Sequence, residues 1–206
     1  MNIRHIIDLS HATAAAMPTY PGDDPVFLEQ VRMLPAHTYT DHRLTTGMHV
    51  GTHIDGPAHL FAGAPALDQF PASHFIRPGI LIDARNKGID APLLEQVSMQ
   101  PDAIVLVLTG HDKKFGSNEY FIDHPTLTAA FAHALISRKI NILGIDLPSP
   151  DRPPFQVHRM LLQRNILIME NLTGLERLVG IDHFTVAALP LKIKADSAPA
   201  RVVAFY

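Results

Sequence analysis

The sequence predicts a single α/β domain built on a mixed sheet. Three observations predict it: a series of apolar, β-branched-rich runs, one clear amphipathic helix, and an alternation of strands with helices concentrated in the second half. The runs are Ile3 to Leu9, Val26 to Met33, Ile80 to Asp83, Ile104 to Leu108, Ile140 to Ile145, Ile166 to Met169, Phe184 to Leu189 and Arg201 to Phe205, and each reads as a strand. The helix spans Thr126 to Arg138, because Leu127, Ala130, Phe131, Ala134 and Leu135 recur on one face. Thr126, after Pro125, is available as its N-cap. Shorter helices are expected at Pro92 to Val97, Val157 to Gln163 and Thr173 to Val179.

Composition narrows the function classes. The chain has 206 residues, 47% of them hydrophobic, which supplies the core of one domain and is too little for two. The 17 prolines are spread along the length rather than gathered in a linker, and there is no internal repeat. A net charge of -3 without a Lys/Arg cluster argues against a nucleic-acid partner. No window reaches the ~18 apolar residues of a membrane span, and Asp8 interrupts the N-terminus before a secretory-type stretch develops. A soluble, cytoplasmic protein is expected. Without cysteine, any metal must be held by nitrogen and oxygen.

The 13 histidines are the compositional oddity, since imidazole is the commonest metal ligand. His5, His37, His42, His74, His124, His133 and His183 are scattered among polar neighbours and read as surface or satisfied core residues. His49, His53, Asp55 and His59 instead crowd into eleven residues, His49-Val50-Gly51-Thr52-His53-Ile54-Asp55-Gly56-Pro57-Ala58-His59. Glycine, proline and β-branched residues make a helix improbable there. An extended or looped chain turning through Gly51 brings His49 and His53 to one point, and Asp55 shares their parity. Three convergent N,N,O ligands suit zinc or manganese; the alternative is a polar loop whose histidines cap turns.

Two further ligand candidates lie downstream. Glu170 ends the apolar run Ile166-Leu167-Ile168-Met169, and a carboxylate there is costly to desolvate unless it meets a cation: a metal, or a salt-bridge partner such as Arg159. His158 stands before Met160-Leu161-Leu162, either as an ordinary helix histidine or brought to Glu170 by a helix-turn-strand path.

The stretch from His49 to His59 matches the H-x-G-T-H-x-D-x-P-x-H motif and so resembles the cyclase-family metal hydrolases, which include bacterial kynurenine formamidases. The resemblance extends to Tyr20-Pro21-Gly22-Asp23, Gly144-Ile145-Asp146-Leu147-Pro148-Ser149, His158-Arg159-Met160-Leu161-Leu162, Glu170-Asn171-Leu172, Leu189-Pro190-Leu191-Lys192 and Pro199-Ala200-Arg201-Val202-Val203-Ala204. It implies a β-barrel-like centre with surrounding helices, of the swivelling β/β/α kind, and a homodimer or homotetramer. It implies that His49, His53 and Asp55 bind one divalent metal, and that Asp55, His158 and Glu170 bind a second in dinuclear members. His59 falls at the catalytic histidine and Tyr20 at a substrate-facing position.

The activity so implied is hydrolysis of a small amide, formamide or lactam by metal-activated water. The cation acidifies water and polarises the carbonyl, and His59 moves the proton. Lactone or ester hydrolysis and ring closure are the alternatives within the family; a non-catalytic, metal-stabilised binding protein would not need His59. A serine nucleophile is disfavoured, as no G-x-S-x-G occurs. Two departures bear on the substrate: Tyr20 stands where the formamidases carry Trp, and Thr109-Gly110-His111 replaces a Thr-Gly-Trp pattern of other relatives.

Overall fold

The computed structural model describes residues 4–95 and 97–206, so Ile3 of the first expected strand and Gln96 of one expected helix lie outside the described residues. Strands form at Ile6–Asp8 (β1), Phe27–Arg32 (β2), Asp41–Thr45 (β3), His53–Asp55 (β4), Ile76–Asp83 (β5), Ile104–Leu108 (β6), Ile142–Ile145 (β7), Leu167–Glu170 (β8), Phe184–Pro190 (β9) and Ser197–Phe205 (β10). The helices are Glu119–Ile122 (α1), Ala129–Ser137 (α2) and Gln156–Leu162 (α3).

Eight strands share one sheet in the order β1-β10-β4-β8-β7-β6-β5-β9. Because β9 also pairs with β10, seven of them close into a barrel and β1 is appended to β10. The pairs β5–β6, β6–β7 and β7–β8 are parallel, whereas β4–β8, β10–β4, β5–β9 and β10–β9 are antiparallel. This is the mixed sheet the sequence predicts.

Alternation along the strands builds two cores. Ile104, Leu106 and Leu108 of β6 join Ile54, Ile142, Leu167 and Met169 inside the barrel. Val105 and Val107 face outward with Leu143, Ile145 and Ile168, where Phe131, Ala132 and Leu135 of α2 and Val157, Leu161 and Leu162 of α3 cover them. Helices on the outer face are why β6 and β7 are apolar at every position rather than at every second one.

Several boundaries differ from the sequence-based expectation. The helix expected from Thr126 starts at Ala129, and its cap is Thr128, whose side chain accepts from Phe131 N–H at 3.1 Å. Leu127 and Thr128 donate their N–H groups to Pro150 and Ile89, so tertiary ties hold this stretch out of the helix. The segments expected as helices at 92–97 and 173–179 contain 3-10 turns, at Ala91–Leu94 and Leu175–Leu178. β3 is a strand the hydrophobic pattern did not reveal: Asp41-His42-Arg43-Leu44-Thr45 is exposed throughout and pairs only with β2, in a separate two-stranded sheet.

The segment carrying the histidines enters the barrel wall as β4. Ile54 points into the barrel core, so by alternation His53 and Asp55 lie on the outer face. β4 is held between β10 and β8, and its register sets His53 directly opposite Glu170.

Candidate metal centre

Backbone geometry explains how His49 joins His53 and Asp55. Gly51 adopts φ +61, a backbone conformation that L side chains rarely adopt, so a glycine favours the turn that leads the chain into β4. His49 then brings Nδ1 to 2.9 Å from Asp55 Oδ1. His53 Nε2 lies 3.4 Å from both Asp55 Oδ1 and Glu170 Oε2. α3 delivers His158, whose Nε2 is 3.3 Å from Glu170 Oε1 and 3.8 Å from Asp55 Oδ2. His59, at the end of the 3-10 turn Pro57–His59, stacks obliquely on His49 at 4.2 Å between ring centroids.

All six charged or imidazole residues singled out in the sequence therefore come together around Asp55. Two groups of donor atoms converge most tightly, each within 4.8 Å: His49 with Asp55 and His59, and His53 with Asp55 and Glu170. The resemblance divides them otherwise, pairing His53 with His49 and Glu170 with His158.

Each histidine is anchored on its far side by an oxygen. His53 Nδ1–H donates to the Gly51 carbonyl at 2.8 Å. Nδ1 of His158 meets Asp151 Oδ1 at 2.5 Å, and Nε2 of His49 meets Asp196 Oδ2 at 2.9 Å. Such partners fix the tautomer and aim the other nitrogen at the centre, the usual second half of a metal site. Asp196 also reaches His59 Nδ1 at 3.2 Å.

The donor set fits a divalent cation. His53 Nε2, Asp55 Oδ1 and Glu170 Oε1 are buried without a hydrogen-bond partner, although Asp55 Oδ1 lies close to His49. Buried polar atoms are almost always satisfied, so unsatisfied atoms on three residues whose donor groups converge mark a place for a positive ion. The field agrees. Burial alone would lower the His53 pKa, but Asp55 and Glu170 overcome it and raise it well above the ordinary value. His158 is likewise pushed up to about 10, against burial, by Asp151 and Glu170. Asp55 resists burial through His53 and His49 and is held well below the usual carboxylate range. The centre is built to stabilise positive charge.

A cavity of about 260 Å³ opens onto this cluster. Tyr20, Leu60, Phe121 and Phe155 line it together with His49, His59 and His158. Tyr20 meets Phe121 edge-on at 5.9 Å.

Residues 7–152 match the family model described as "Putative cyclase". The chain belongs to the cyclase family. Among relatives of this cyclase-family chain, a kynurenine formamidase of Bacillus mycoides is 30% identical over 205 residues, covering 96% of this chain and 95% of its own. A kynurenine formamidase of Bordetella petrii is 28% identical over 214 residues, covering 98% of each. Isatin hydrolase A from Labrenzia aggregata, solved with benzyl benzoate bound, superposes with a TM-score of 0.85 at 24% identity, over 98% of this chain and 93% of that one. That last likeness is one of fold. The cyclase-family chain is an enzyme of the hydrolase class, and no helix among its described residues is long and apolar enough to cross a membrane.

Sequence reasoning missed the anchoring carboxylates. Asp196 reaches the site because β10 pairs with β4, Ser197 opposite Asp55, and because Gly56 N–H donates to the Asp196 carbonyl at 2.8 Å. Asp151 is placed by capping α3, its Oδ2 accepting from Val157 N–H at 2.5 Å. Neither carries a local signal, since both act through partners that only the fold supplies. Asn171 belongs to the Glu170-Asn171-Leu172 segment of the resemblance, but its role is visible only in three dimensions.

Proposed function

We propose that this hydrolase cleaves the C–N bond of a small aryl amide, with an N-formyl aryl amine as the preferred kind of substrate, at a centre formed by His49, His53, Asp55, His158 and Glu170. The observation that carries the reading is the cavity, which is lined both by aromatic side chains and by a cluster suited to a divalent cation. Its roughly 260 Å³ lies at the small end of ligand pockets, which suits a substrate with one aromatic ring. The formamidase relatives support the same bond class. Zinc suits the imidazole-rich donor set best, and manganese, given the carboxylates, is the second candidate.

A bound cation would supply Lewis acidity, polarising a carbonyl and acidifying water from about 15.7 toward 7. The remaining tasks fall to the chain. Tyr20, Phe121 and Phe155 orient the ring of the substrate and keep water from its faces. Asp196 accepts a hydrogen bond from His59 Nδ1–H, and Nε2 is free of hydrogen bonds among the described residues. In this proposal, His59 Nε2 accepts the proton of the attacking water and returns it to the departing nitrogen, an exchange geometrically available to a side chain lining the cavity.

The test compares N-formyl anilines, small aliphatic formamides, lactams and lactones on wild-type and Tyr20→Ala protein. Wild type is expected to favour the aryl formamides in kcat/KM. Tyr20→Ala is expected to raise KM for aryl substrates by roughly tenfold, the loss of about 1.4 kcal/mol of stacking, and to spare aliphatic ones. Higher kcat/KM on lactones, or equal losses on both amide classes, would contradict the proposal.

A further inference from the structure

A chain of buried hydrogen bonds runs from Tyr120, the neighbour in α1 of the cavity residue Phe121, to the back of His53. The Tyr120 hydroxyl donates to Asn171 Oδ1 at 2.8 Å. The Asn171 amide donates through Nδ2 to the Gly51 carbonyl at 2.9 Å. That same carbonyl accepts the Nδ1–H of His53 at 2.8 Å, and Asn171 Nδ2 itself lies 3.5 Å from His53 Nδ1. Nothing in the chain is exposed: Tyr120 is fully buried and Asn171 is 5% exposed.

The order of donors and acceptors admits one arrangement of the Asn171 amide. Gly51 offers only a carbonyl, so Nδ2 must face it and Oδ1 must face Tyr120. The phenol meets that demand by donating. Burial and the charges of Glu170, Asp146 and Asp112 push its pKa upward, so it keeps its proton. Asn171 is tied down along its backbone as well, its carbonyl accepting from Thr52 Oγ1 at 2.6 Å and its N–H donating to Leu147. The Gly51 carbonyl is thus fixed by one partner while it orients another.

We infer that Tyr120, acting through Asn171 and the Gly51 carbonyl, is a positioning residue that aims His53 Nε2 at Asp55 and Glu170 and so sets the affinity of the centre for its cation. The inference rests on the metal reading of that cluster. It adds a coupling between the site and its surroundings, because Phe121, the residue after Tyr120 in α1, forms part of the cavity wall. Outer partners of metal-binding histidines govern affinity in this way, because a ring free to rotate must be ordered when the metal binds.

The test uses Tyr120→Phe, which removes one oxygen and keeps the ring against His111, Phe115 and Phe121. Zinc affinity is measured on chelator-stripped full-length protein by competition with a chromophoric chelator, alongside the melting temperature of the metal-free form. Zinc binding is expected to weaken about 10- to 100-fold. The visible absorption of the cobalt-substituted protein is expected to change with it, a signature that lost packing alone would not produce. Asn171→Ala should weaken zinc at least as much, and adding Tyr120→Phe to it should have no further effect. Tyr120→Phe binding zinc as tightly as a zinc-binding wild type, or effects that multiply in the double variant, would overturn the inference. A wild type that binds no zinc or manganese would overturn the metal reading itself.

Discussion

Asp55→Asn protein is expected to be purified without a bound cation and to lose activity by on the order of 10³-fold or more. Asp55 is the residue common to both convergent groups of donor atoms, and its two oxygens face His49, His53 and His158. The substitution keeps the shape and removes the charge, so whatever cation the centre holds loses its one shared anionic ligand. Lewis-acid stabilisation is worth several kcal/mol, and each ~1.36 kcal/mol is tenfold in rate, which gives the size of the loss. Metal content by elemental analysis and kcat/KM on the best substrate check it, with circular dichroism to confirm the fold. Wild-type metal content in this variant would remove Asp55 from the centre.

His59→Ala is expected to separate binding from chemistry. The protein should keep its metal and its melting temperature and lose on the order of 10²- to 10⁴-fold in kcat, the usual worth of a positioned acid-base group. Two features favour the proton-transfer role: His59 is only part-buried on the cavity, and Asp196 already holds its Nδ1. One feature competes, since His59 also lies within ligand reach of His49 and Asp55. Metal content decides between them. Loss of metal in His59→Ala would make it a ligand, and loss of stability with full activity per folded molecule would make it a cap of the 3-10 turn.

The parts of the fold that were legible in the sequence are those whose signal is local. Ile104 to Leu108 and Ile140 to Ile145 are read as strands because a strand covered on both faces must be apolar throughout, and β6 and β7 are covered by α2 and α3. β3 is silent because its hairpin with β2 is exposed and buries no alternating face. The cap of α2 lies two residues later than expected, at Thr128 rather than Thr126, because the N–H groups of Leu127 and Thr128 bond to distant carbonyls, which no propensity records. At the site, the crowding of His49, His53, Asp55 and His59 into one segment made the ligand candidates visible. Glu170 was legible through its cost, as a carboxylate at the end of a buried strand. Asp196, Asp151 and Tyr120 were not, because each reaches the centre by strand pairing, helix capping or a relay through Asn171.

In the proposed mechanism a cation held around Asp55 is required for hydrolysis. The most direct measurement strips the protein with a chelator and titrates zinc, or in parallel manganese, while following both bound metal and the rate on an N-formyl aryl amine. Negligible turnover is expected in the stripped protein, with a rate that rises in proportion to bound metal and reaches its plateau when the one or two sites around Asp55 are filled. Full turnover at zero bound metal would contradict it.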